Sequence, residues 1–242
     1  AHSFAGLAAR LSERHRVIAP DLPGQGFTTL LPLKEVGLVQ FATYLGELMQ
    51  LLEATPRWII GHPAGAALSA QYALDADTLP AGILCINAAF NPFGSLAAPL
   101  FSKTAKWFAR SDWLPKLLAS PSLRWRATGS MLADTGSAVD PIMSRCYDTL
   151  LGNPDHIAGT LRMMAGWDLP PLLRRLPSLQ TPVWLAAAEG DRTIPPERST
   201  SVANDLPLAR AVRIPDLGHL AHEENPEIFE DLFEEMRTKT AA

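Results

Sequence analysis

The feature that most narrows what this chain can fold into is an alternation. Short apolar runs take turns with longer stretches of helical periodicity. Arg16-Val17-Ile18-Ala19-Pro20 is the first run, closed by the Gly/Pro loop Asp21-Leu22-Pro23-Gly24-Gln25-Gly26. Arg57-Trp58-Ile59-Ile60-Gly61, Ile83-Leu84-Cys85-Ile86, Val183 to Ala188 and Ala211-Val212-Arg213-Ile214 follow. Continuous apolar runs bounded by turn residues are the mark of strands buried on both faces of a parallel sheet. Between them, Ala5 to Arg14, Phe41 to Leu52, Ala64 to Leu74 and Asn225 to Met236 read as helices. Phe41, Leu45, Leu48, Met49 and Leu52 lie along one side of the second of these. Strand and helix in alternation predict an α/β fold with a mostly parallel sheet and helices on both faces. The pattern breaks between Asn87 and Leu179, a stretch rich in Trp and Pro with helical periodicity and no good strand run. We therefore expect a core of residues 1–90 and 178–242, with 91–177 inserted as a helical cap over the C-terminal ends of the strands.

Composition excludes several classes. Of the 242 residues, 47% are hydrophobic and 19% charged, which is incompatible with a disordered polyelectrolyte. The net charge of −4 removes a global basic field, so no nucleic-acid partner is expected. Two cysteines cannot form a disulfide framework and fit a reducing, cytoplasmic compartment. No apolar run reaches the roughly 18 residues of a membrane span, and no signal peptide is visible at the start. Cys85 sits in an apolar run and reads as core, while nothing beside Cys146 suggests a reactive thiol.

Three segments carry chemistry, each just after a predicted strand. They are Gly61-His62-Pro63-Ala64-Gly65, Glu189-Gly190-Asp191-Arg192-Thr193-Ile194-Pro195, and Gly218-His219-Leu220-Ala221-His222-Glu223-Glu224. A tight strand-to-helix turn, then an acid, then a histidine is the chain order of α/β-hydrolases. With these motifs the chain resembles that family over essentially its whole length, and Asp21 to Gly26 resembles the family's loop after its fourth strand. The resemblance implies that His219 takes a proton from a nucleophile, that Asp191 fixes the His219 tautomer, and that the Ala64 backbone N–H is an oxyanion donor. A narrower resemblance rests on Ile86-Asn87-Ala88-Ala89-Phe90-Asn91-Pro92-Phe93-Gly94, Leu100-Phe101-Ser102, Thr128-Gly129-Ser130, His156 to Gly159, Met163-Met164-Ala165 and Trp167-Asp168-Leu169. These are similar to the magnesium-chelatase accessory proteins of bacteriochlorophyll synthesis. That implies a role near magnesium insertion into protoporphyrin, with magnesium chelatase or a porphyrin as partner and no resident cofactor.

Two departures stand out. Pro63 occupies the nucleophile position, and proline offers no hydroxyl, thiol or carboxylate. Its ring also fixes φ near −65°, whereas the elbow normally holds its nucleophile at positive φ, so the turn must relax. Two readings follow: a non-hydrolytic accessory protein on a hydrolase scaffold, or a serine hydrolase whose Ser at position 63 is masked by a mutation or a sequence error. The second departure is the start, Ala1-His2-Ser3-Phe4, which in the family follows the third strand and its oxyanion loop. The resemblance implies that the first strands, and a second oxyanion donor, precede Ala1.

No His, Cys, Asp and Glu cluster at metal-ligand spacing is expected to bind a metal, and His222 reads as a helix-start or surface residue rather than a second base. Leu96, Leu100, Phe101, Trp107 and Phe108 fall near helical spacing, among Lys103, Lys106, Arg110, Lys116, Arg124 and Arg126. They fit a cap helix packed over an apolar pocket with solvated cations. They also fit contact with a membrane surface, a partner, or porphyrin carboxylates, with Trp107, Trp113 and Trp125 at the interface and Arg124 or Arg126 on a propionate.

Overall fold

A computed structural model describes residues 1–90 and 111–240. Its sheet has four parallel strands in the order β1 (Trp58–Gly61), β2 (Gly82–Ile86), β3 (Val183–Ala188) and β4 (Ala209–Ile214). Ile83 is in register with both Ile59 and Val183, and Ala186 with Val212. Every residue of β2 and β3 is buried, which is why these runs are uninterruptedly apolar.

Successive side chains of a strand point to opposite faces, and each face has its own core. Ile83, Cys85, Val183 and Leu185 pack against Phe41 and Ala42 of α2 (Leu38–Leu51) and the small residues of α3 (Ala64–Asp75). Leu84, Ile86, Trp184 and Ala186 pack on the other face. There they meet Leu7 and Leu11 of α1 (Ala5–Leu11) and Phe229, Phe233 and Met236 of the closing helix Pro226–Thr240. A fully buried side chain of this size contributes about 1.5–3 kcal/mol, so the two layers fix the sheet between them. Burial of Cys85 pushes its thiol pKa up, as befits a core residue.

Between β2 and β3 the described residues form helices joined by short turns and hold no strand. Its helices are Leu114–Leu118, Pro121–Asp134, Pro141–Leu151, Pro154–Gly166 and Leu169–Arg175. All five carry Pro in the first turn, where the missing N–H costs nothing. Asp140 and Asn153 cap two of them through Ile142 N–H (2.7 Å) and Asp155 N–H (3.0 Å). Leu96, Leu100, Phe101, Trp107, Phe108, Lys103, Lys106 and Arg110, with Asn91 to Gly94, lie outside the described residues.

One expected element is absent. Arg16 to Pro20 is not a strand, and Val17 is 37% exposed. A strand exists only by pairing, and among the described residues nothing pairs with this run; β1 is the sheet edge on that side. The first helix is also shorter than its periodicity suggests, ending in a turn after Leu11. A cavity of about 430 Å³ opens between Pro20–Pro23, Thr28, Leu31 and the Phe41, Tyr44, Leu45 and Leu48 side of α2. Its lining includes none of Pro63, Asp191 and His219.

Candidate active site

The strand-to-helix turn after β1 is built on what glycine lacks. A β-carbon on Gly61 would lie 2.5 Å from the Gly65 carbonyl and 2.7 Å from Ala66 N, so the helix can start this close only over a bare Cα. Pro63 then stands at the helix N-cap with φ −70° and ψ −41°. This is ordinary helical backbone, not the left-handed conformation of a strained elbow. The turn has relaxed around the proline ring, and the Pro63 carbonyl accepts Ala89 N–H at 3.1 Å. Ala64 is the first helical residue and is half-buried.

The acid and the histidine meet. His219 Nδ1–H donates to Asp191 Oδ2 at 2.8 Å, and the Asp191 side chain is wholly buried. The other carboxylate oxygen, Oδ1, accepts Thr193 N–H (2.7 Å) and Ile194 N–H (2.8 Å). These backbone donors hold the carboxylate in one orientation, and the carboxylate holds the imidazole with its proton on Nδ1. Nε2 is thereby left as the ring nitrogen open to accept a proton. The His219 carbonyl is gripped twice, by His62 Nε2–H (2.8 Å) and Asn87 Nδ2–H (2.9 Å). A carbonyl only accepts, so His62 must carry its proton on Nε2.

The His62 ring lies against two other imidazoles, its centroid 4.7 Å from that of His219 and 4.5 Å from that of His222, with the ring planes tilted by 51° and 52°. Burial, aided by the neighbouring rings, holds His62 well below the usual histidine range. The same causes push His222 down to about 3. Both are neutral at physiological pH. His222 Nε2 contacts Ser3 Oγ at 2.9 Å, while Ser3 and Tyr147 donate to Glu223, whose pKa burial raises. His222 stands in the first turn of a short helix, but it is not at the surface: its ring is fully buried. Among the described residues no group of three or more His, Cys, Asp and Glu side chains is arranged to hold a metal ion.

Several residues of this site were not singled out in the sequence. Asn87, at φ +46°, closes β2, and its Oδ1 accepts Ala188 N–H (2.8 Å) while its amide reaches the His219 loop. The signal was there: a polar residue directly after a fully buried strand. Thr135 and Ser137, which hold the His219 loop from the helical segment, carry no such signal. Of the cationic residues described, Arg124 is ion-paired with Asp148 at 3.1 Å, and Lys116 and Arg126 are exposed. Trp113 and Trp125 are exposed as well.

The alpha/beta hydrolase family profile matches residues 1–232. The chain is 40% identical over 222 residues to the magnesium-chelatase 30 kDa subunit of Rhodobacter capsulatus, covering 92% of this chain and 77% of that protein. It is 24% identical over 226 residues to the 2-hydroxy-6-oxo-6-phenylhexa-2,4-dienoate hydrolase of Burkholderia cepacia, covering 90% and 75%. Among solved structures, MenH from S. aureus aligns at TM-score 0.79 and 14% identity over 100% of this chain and 90% of that one. A thermophilic esterase from Thermogutta terrifontis aligns at TM-score 0.74 and 21% identity, covering 99% and 86%. At such identities the structures speak for the fold alone, whereas the profile spans nearly the whole sequence. On that match, with strand order and acid–histidine placement in agreement, the chain belongs to the alpha/beta hydrolase family.

Proposed function

We propose that the protein is an accessory protein of magnesium chelatase, built on a hydrolase scaffold, that acts in bacteriochlorophyll synthesis and does not hydrolyse. The observation that carries this is the 40% identity to a magnesium-chelatase subunit over nearly the whole chain. Pro63 supports the non-hydrolytic half, since no atom of its side chain can attack a carbonyl. In this reading residues 91–177 form a cap, the ligand is a porphyrin or its magnesium form, and Arg126 meets a propionate. The helical stretch lies against the Asp191 and His219 loops, which supports that placement. The test is reconstituted magnesium insertion into protoporphyrin, with and without this chain, beside porphyrin fluorescence quenching. A faster insertion rate and saturable quenching are expected. An unchanged rate together with no quenching overturns the proposal.

The Asp191–His219 contact favours one other reading, a serine hydrolase masked at position 63, because the proton-handling pair is fully assembled. Labelling with a fluorophosphonate probe separates the two. Under the accessory reading the Pro63 protein is unlabelled. Labelling of another serine that His219→Ala abolishes would instead establish a hydrolase. Pro63→Ser is necessary for any labelling at position 63, and requires the turn to tighten away from φ −70°.

A further inference from the structure

Among the described residues, the helical segment meets both loops of the acid–histidine pair at the turn Thr135–Ala138. The Thr135 carbonyl accepts His219 N–H at 3.0 Å and Arg192 N–H at 3.4 Å, so one oxygen bridges both site loops. Ser137 Oγ accepts Leu220 N–H at 2.8 Å. One carboxylate, Glu224, ties the turn to the same loop, taking Ala138 N–H (2.9 Å) on one oxygen and Gly218 N–H (2.7 Å) on the other. The backbones themselves are in contact. A β-carbon on Gly136, at φ +75°, would lie 2.3 Å from the Gly190 carbonyl oxygen, and one on Gly218 would lie 2.5 Å from Ser137 N. Thr135 is buried and its hydroxyl accepts Ser137 N–H at 3.1 Å, which stiffens the turn.

From this geometry we infer that Thr135 and Ser137 are positioning residues for the Asp191–His219 pair, and that they make its alignment conditional on how the helical segment is seated. The Asp191 loop and the His219 loop each have a fixed end on the sheet, through Ala188 and through Asn87. Their free sides are held by this turn. A displacement of the turn therefore withdraws the acceptor shared by His219 N–H and Arg192 N–H, and the 2.8 Å contact between the side chains loses that support. Anything that binds the helical segment and shifts this turn is reported at the imidazole. The inference rests on the pair's geometry and not on the accessory reading, and it holds whatever occupies position 63.

The test is imidazole ¹⁵N NMR of histidine-labelled protein, with His219 assigned by the resonance lost in His219→Gln. The wild type is expected to show His219 as the Nδ1–H tautomer, with slow exchange of that proton. Ser137→Ala is expected to speed the exchange about tenfold, the equivalent of one lost hydrogen bond, and to admit the Nε2–H tautomer. Ser137→Thr, which keeps the hydroxyl, restores the wild-type signal. Gly136→Ala is expected to abolish the tautomer preference. Gly129→Ala, on the same helical segment with open space around its Cα, is the control and leaves His219 unchanged. If Gly136→Ala does not fold, the Ser137 pair decides. A wild-type His219 signal in Ser137→Ala overturns the inference, and so does the same disturbance in Gly129→Ala.

Discussion

Replacing Asn87 by Ala tests whether the site's framework is as tightly specified as its hydrogen bonds imply. Asn87 is 1% exposed. Its Oδ1 is the partner of Ala188 N–H, and its amide serves the carbonyls of His219 and Gly218 at 2.9 and 3.2 Å. The His219 carbonyl keeps His62, so the main loss is the Ala188 N–H, which is left buried and unpaired at a cost of about 1–3 kcal/mol. A second cost is conformational. At φ +46° an alanine lacks the local hydrogen bonding that lets Asn tolerate the left-handed region, worth about 1 kcal/mol. Asn87→Ala should thus destabilise by about 2–4 kcal/mol in urea unfolding, with the m-value unchanged. Asn87→Gly loses the same hydrogen bonds but is free of the strain, and should recover about 1 kcal/mol relative to Ala. Asn87→Asp keeps the acceptor but turns a carboxylate oxygen on two carbonyls, and should be at least as damaging as Ala. A cost below about 1 kcal/mol for Asn87→Ala would refute the hydrogen-bond accounting. A Gly variant less stable than the Ala variant would refute the strain.

Two further perturbations address the elbow and the buried imidazoles. Gly61→Ala places a β-carbon against backbone atoms that cannot yield, so it should abolish soluble expression or cost more than about 3 kcal/mol, while Gly65→Ala, with open space, should be mild. His222 has a folded pKa near 3, far below its unfolded value. It contributes nothing to the pH dependence above about pH 6.5. As pH falls below that, the unfolded chain takes up a proton the folded one refuses, and stability drops by about 1.4 kcal/mol per pH unit until the folded pKa is reached. His62, lowered by the same burial, adds a slope of its own, so His222→Gln should remove only the His222 share, measured by urea unfolding between about pH 7 and pH 5; parallel stability curves for the two proteins would contradict the burial argument.

Residue order alone carries what local chemistry controls. Uninterrupted apolar runs such as Val183 to Ala188, too short for a helix and bounded by turn residues, read as strands buried on both faces, and the structure has a fully buried strand there. Gly61 and the residue types of the three motifs were equally legible, and so was the incapacity of Pro63 as a nucleophile, since that follows from its atoms alone. The sequence could not decide whether Arg16 to Pro20 is a strand. An apolar run acquires that state only from a neighbour to pair with, and among the described residues it has none. Nor could it yield the clamp on His219. The carbonyl gripped by His62 and Asn87 and the amides held by Thr135 and Ser137 are backbone groups, which leave no trace in residue identity. Ser137 and Leu220 are 83 positions apart, and only the packing of the helical segment against two strand-end loops brings them within 2.8 Å. Sequence specifies which groups are available for such contacts; distance in space, set by the sheet and its two cores, specifies which of them are made.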